Sequence, residues 1–141
     1  MYLVTLAVLS LYVSATDFLY RKIQNYALCL LLFLQCFLSP LDIQIMSFLL
    51  MLGIGLILYK LIWIGAGDIK YVVILSLTIP VNDLLLAFIL TAFSGGILAI
   101  SYLVSKKLKR NKVGFQEGIP YGIAISIGFY LAILTQSTPY I

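Results

Sequence analysis

Acid–base chemistry in this sequence has five carboxylates to draw on: Asp17, Asp42, Asp68, Asp83 and Glu117. The chain contains no histidine, which excludes serine–histidine and cysteine–histidine catalysis and histidine metal sites. Cys29 and Cys36 stand seven apart in an apolar run. At helical spacing they share a face but lack the short-range spacing of a zinc or redox pair, so they read as lipid-facing or packing residues. Asp42 and Asp83 each precede an apolar run and read as helix N-caps. Asp17 closes the first apolar run, and Asp68 follows Gly65-Ala66-Gly67, whose glycines leave the backbone open to close approach. Two readings of this second pair stand side by side. In one, Asp17 pairs with Arg21 or Lys22 and Asp68 caps a helix. In the other, the two form a carboxylate pair. Held about 3 Å apart, two carboxylates cannot both ionise. The charged one activates water, the protonated one polarises a peptide carbonyl, and titration belongs to the pair.

The elements that must position these groups follow from composition. Of 141 residues, 63% are hydrophobic and 10% charged, against roughly a quarter charged in soluble domains. That excludes a cytoplasmic globular enzyme, a disordered tail and a nucleic-acid binder with a soluble basic surface. Six apolar runs cover residues 1–16, 23–41, 43 to about 64, 71–82, 84–105 and 118–141. At about 20 residues per span, six spans leave no room for a second domain. The expectation is an all-α integral membrane protein, with residues 1–141 forming a single bundle of six transmembrane helices.

The basic residues orient it. Connections at about 17–25, 60–70 and 105–118 hold all nine Lys and Arg, while those at 39–42 and 80–83 hold Asp42 and Asp83. By the positive-inside rule the first set is cytoplasmic and both termini lie outside. The short fourth run reads as a protein-buried span that thins the membrane locally, because a re-entrant segment would invert everything after it. Val13-Ser14-Ala15 looks like a signal-peptide cleavage site. With no Lys or Arg before the apolar run and Arg21-Lys22 after it, a retained anchor is the expectation. Small residues at four-residue spacing (Ala92/Gly96, Gly118/Gly122, Gly122/Ser126, Ala124/Gly128), with Gly53 and Gly55, mark candidate close helix contacts. Asp17 and Asp68 fall at one depth on the cytoplasmic side, where ionisable groups default to functional hypotheses. Asp17 at a helix C-terminus and Asp68 at a helix N-terminus would feel opposite dipoles, placing charge on Asp68 and the proton on Asp17.

Three segments together resemble the type IV prepilin peptidase family, the aspartic membrane proteases of the GxGD type. Gly65-Ala66-Gly67-Asp68-Ile69-Lys70 is similar to the family's GxGDxK element. Asp17, followed by Ile23 and Asn25, resembles its Asp, basic residues, Ile-Pro-Asn element. Ile119-Pro120-Tyr121-Gly122-Ile123-Ala124 resembles the stretch that opens the family's last helix. Gln24 stands where the family usually has proline, and Leu19 where arginine is common. The chain resembles the short form found in tight-adherence (Flp-type) pilus systems, without the amino-terminal methyltransferase domain.

The resemblance implies an aspartic endopeptidase of the bacterial or archaeal-type inner (cytoplasmic) membrane. It would cleave the basic leader of type IV or Flp-type prepilins at the cytoplasmic face, as part of pilus assembly and secretion. The catalytic pair would be Asp17 and Asp68, supported by Gly65, Gly67, Lys70, Pro120, Tyr121 and Gly122. Asn25 and Glu117 are candidate substrate contacts. Lys70 reads either as a screen for the pair or as a headgroup anchor, and Pro120 and Tyr121 as pocket wall. The partners expected are a prepilin or pseudopilin helix and the bilayer, with no nucleic acid, no metal and no cofactor, neither zinc nor S-adenosylmethionine. The other readings are a non-enzymatic transporter or assembly scaffold, and a presenilin-like protease. The transporter lacks an internal repeat. The presenilin-like reading expects a Tyr-Asp pair where this chain has Thr16-Asp17.

Overall fold

The computed structural model of the chain describes residues 1–62, 64–109 and 118–137. Helix α1 (Tyr2–Tyr20) is followed by α2 (Asn25–Phe33), which continues as a π-helical turn over Leu34–Leu38, and by α3 (Ile45–Ile62). Helix α4 (Ala66–Leu75) ends in a 3-10 turn at Ser76–Thr78, and α5 (Val81–Leu108) and α6 (Tyr121–Ser137) complete the chain. Among the described residues there are thus six α-helices and no strand, the all-helical architecture expected. Three of them, α1, α3 and α5, are long and apolar enough to cross a membrane. The 28 residues of α5 reach about 42 Å at 1.5 Å per residue. That exceeds a hydrocarbon core of about 30 Å, and the last turn carries Lys106 and Lys107.

Charge does not end the first helix where the sequence suggested. Helix α1 runs past Asp17 to Tyr20 and stops at Arg21, which turns left-handed (φ 54°) and donates its N–H to the Asp17 carbonyl. Asp17 is therefore a helical residue rather than part of a connection. Nor do Asp42 and Asp83 cap helices. Pro80 precedes α5, fixing its start and leaving Asp83 within the first turn, where it complements the dipole without capping. Asp42 lies three residues ahead of α3.

Contacts between helix ends define two poles. At one, the α1 C-terminus meets the α6 N-terminus through Asp17 and Gly122, and Ile23 packs beside Gly67 at the start of α4. At the other, the Tyr2 hydroxyl donates to Gln35 Oε1 at 2.5 Å, and the Gln44 N–H donates to the Leu77 carbonyl at 2.7 Å. Gln35 is fully buried and sits in the π-helical turn. Arg21 and Lys109 border one cavity with Pro120, and Lys60 ends α3. The basic residues of the described chain thus gather at the Asp17 pole, and Asp42 and Asp83 at the other. Buried Leu6, Val13, Leu31, Tyr71, Phe129 and Ile133 form the interior, while large apolar side chains such as Leu11, Leu61 and Phe93 cover the exterior. An apolar exterior suits a chain whose solvent is lipid.

Small residues take sides that spacing alone did not reveal. Gly53 and Gly96 face open space. At Gly55 an added Cβ would stand 2.5 Å from Ile69 Cγ2, so α3 and α4 meet there. At Gly128 it would stand 2.5 Å from the Thr91 backbone nitrogen and 2.6 Å from Thr91 Cα. Backbone cannot yield as a side-chain tip can. Gly128→Ala will therefore spread α5 and α6 and cost about 1–3 kcal/mol, measured as a lower thermal midpoint in detergent; an unchanged midpoint would show that this contact is not tight.

Candidate active site

Asp17 is 7% exposed, held on the inner side of α1. Its Oδ2 accepts the Gly122 backbone N–H at 2.8 Å. That donor belongs to the first turn of α6, where helix N–H groups lack internal partners. The carboxylate therefore satisfies an orphan donor and lies at the positive end of a helix dipole. The fit is close: a Cβ on Gly122 would stand 2.7 Å from Asp17 Oδ2 and 2.9 Å from its Cγ. Only glycine lets the α6 backbone come this near.

Asp68 lies in the first turn of α4, half-buried. The N-cap position belongs to Gly65, and no side-chain cap bond forms there, so capping does not account for Asp68. The two aspartates stand close enough for the charge of Asp17 to act on Asp68. The glycines around it have separate tasks. A Cβ on Gly65 would come within 3.3 Å of Asp68 Oδ2. One on Gly67 would come within 3.3 Å of Ile23 Cβ, so Gly67 lets the α1–α2 connection rest on the α4 N-terminus. Arg21 acts electrostatically on Asp17.

The expected dipole asymmetry set the α1 C-terminus against the α4 N-terminus and left out α6. Asp17 does lie in the last turn of α1, but with Gly122 donating to it the positive end of α6 opposes that effect and weakens the contrast with Asp68.

The remaining candidates divide. Lys70 is exposed and, two residues on, sits about 200° around α4 from Asp68, so it turns away from the pair. It borders a groove of about 550 Å³ between α2, α3 and α4, together with Asn25, Ala66 and Ile69. A second cavity of about 540 Å³ lies between α1, α5 and α6, bordered by Phe18, Arg21, Ser101, Ser105 and Pro120. Neither is lined by Asp17 or Asp68. Pro120 is buried ahead of α6, whereas Tyr121 is exposed and lines neither cavity. Glu117 lies outside the described residues. Among the described residues no three His, Cys, Asp or Glu side chains cluster as metal ligands.

Sequence reasoning missed a hydroxyl cluster next to the pair. The Tyr71 hydroxyl meets Ser126 Oγ at 2.7 Å, and Ser14 Oγ donates to Ser126 Oγ at 2.8 Å. A detectable signal existed: Ser14 is three before Asp17, Tyr71 three after Asp68 and Ser126 four after Gly122, each on the site-facing side of its helix.

A family model, described as the type IV leader peptidase family, matches residues 4–100. The match includes Asp17 and Asp68 and ends before Pro120 and Gly122. No curated protein and no solved structure gives a match.

Proposed function

Because the chain belongs to the type IV leader peptidase family, we propose that it is a membrane-embedded aspartic endopeptidase whose reacting groups are Asp17 and Asp68. The observation that supports this reading is that Asp17 on α1 and Asp68 on α4, 51 residues apart in sequence, lie within electrostatic reach of each other. A carboxylate pair of this kind shares one proton. The ionised member takes a proton from water as the oxygen attacks the peptide carbonyl. The protonated member donates to the carbonyl oxygen and stabilises the tetrahedral intermediate. The carboxyl that took the water proton then passes it to the leaving amine, the C–N bond breaks, and the other carboxylate recovers its proton from the collapsing gem-diol. The Gly122 N–H orients Asp17 throughout.

Positive-inside topology puts the Asp17 pole, and the cut, at the cytoplasmic face. The substrate class is a prepilin or pseudopilin: a short basic leader followed by an apolar helix that lies in the bilayer beside the bundle. A helical peptide hides its carbonyls, so the segment to be cut unwinds at the site. The groove between α2, α3 and α4, apolar along its length with Asn25 and Lys70 at its polar end, offers apolar surface for the substrate helix. Lys106 and Lys107 would repel a basic leader, which argues against the α5 C-terminus as its docking point.

The test is cleavage by the purified chain in liposomes of a synthetic peptide with a basic leader joined to an apolar helix. Mass spectrometry should find one cut at the leader–helix boundary, and a peptide with the leader scrambled among acidic residues should stay intact. A chain that leaves both peptides whole, or cuts both alike at scattered bonds, would contradict the proposal. A scaffold or transporter would give the first of those results.

A further inference from the structure

A buried chain of hydrogen bonds joins the helix that carries Asp68 to the carboxylate of Asp17. Tyr71 is fully buried on α4, one turn after Asp68. A phenol hydroxyl in an apolar interior requires a partner, and Tyr71 has one in Ser126 Oγ on α6, at 2.7 Å. Ser126 has one hydroxyl proton and two lone pairs. Its proton lies on the Gly122 carbonyl, 2.7 Å away, the shorter of its two acceptor contacts. A lone pair of Ser126 therefore accepts from Tyr71, while Ser14 Oγ lies 2.8 Å from both Ser126 Oγ and the Ser10 carbonyl and has one proton for the two. Gly122 is then held at both backbone ends: its carbonyl by Ser126 and its N–H by Asp17 Oδ2 at 2.8 Å. The helices tied together, α1, α4 and α6, are the three that supply Asp17, Asp68 and Gly122.

We propose that Tyr71 is a positioning residue, which locks α4 to α6 through Ser126 and so holds Asp68 in register with Asp17. The proposal rests on the reading of those two aspartates as the reacting pair. Tyr71 acts through Ser126 rather than on the reacting groups themselves. It sets the distance across which the carboxylates share a proton, one helical turn from where that distance matters. Losing its hydroxyl frees α4 to slide or rotate at the level of Asp68 while the apolar packing of the ring remains.

The experiment uses the full chain in liposomes, with the folded fraction measured separately so that rates refer to folded protein. Tyr71→Phe removes one oxygen and keeps the ring. Its kcat should fall about tenfold, the scale of one lost buried hydrogen bond, with KM unchanged. Ser126→Ala breaks the chain at its next link and should give the same split. The double variant should be no slower than the slower single, because both break one chain. A wild-type kcat per folded molecule in both singles, a change confined to KM or thermal stability, or fully additive losses would each overturn the proposal. Failure of the underlying reading looks different: Asp17→Asn or Asp68→Asn would remain active. Inactive aspartate variants together with a fully active Tyr71→Phe would refute the positioning role alone.

Discussion

Asparagine at Asp17 or at Asp68 will abolish leader cleavage while leaving the bundle folded. An asparagine at position 17 keeps an oxygen able to accept the Gly122 N–H, so the α1–α6 contact survives. At position 68 no cap bond is lost, since none forms. What disappears in each case is a proton donor or acceptor, and losing general acid or base catalysis costs about 10²–10⁴-fold. Because a carboxylate pair needs both members, the two losses should not multiply. The double variant should be about as slow as the slower single. A site in which one aspartate merely supports the other would give one large effect and one small one.

Gly122→Ala should be the most damaging single change outside the pair. The new methyl would stand 2.7 Å from Asp17 Oδ2, 2.9 Å from Cγ and 3.0 Å from Cβ. The carboxyl group could swing away, but Cβ is fixed to the α1 backbone, so rotation alone does not relieve the overlap. Either the N–H bond to Asp17 breaks or α1 and α6 move apart. A displacement near 1 Å at reacting groups costs about 10²-fold, and cleavage per folded molecule should fall by about that factor. Gly128→Ala is the control. It separates α5 and α6 on the same helix, away from the pair, and should lower the thermal midpoint with little change in kcat. Equal activity losses in the two variants would mean that general loosening of α6, rather than the Asp17 contact, sets the rate.

The sequence made the candidate pair legible because charge is so scarce. With five carboxylates and nine basic residues, most could be placed by topology, which left Asp17 and Asp68. The helix count followed from apolar runs, and the segregation of charge to two poles from their alternation. Helix ends were less legible. The charge of Asp17 suggested a boundary, yet the chain continues through Phe18, Leu19 and Tyr20, whose side chains are exposed on an apolar surface. The left-handed turn at Arg21 is what ends it. Pro80 sets the start of α5 ahead of Asp83, and the cap reading failed there for that reason. Nothing in a sequence announces a backbone donor, so Gly122, whose N–H meets Asp17 across 105 residues, could be read only as a small-residue spacing and as part of the stretch that resembles the family's last helix. The same small-residue reading promoted Gly53 and Gly96, which turn outward. Tyr71 was hidden because a tyrosine at the head of an apolar run looks like packing until its hydroxyl partner is known.

The most direct measurement is the rate at which wild type, Asp17→Asn and Asp68→Asn, each reconstituted and shown to be folded, release the leader from the same leader–helix peptide. Wild type should convert it to the single shortened product, and both variants should leave it whole to within detection. Turnover by either variant within about tenfold of wild type, less than the loss that removing an acid or base entails, would contradict the carboxylate pair.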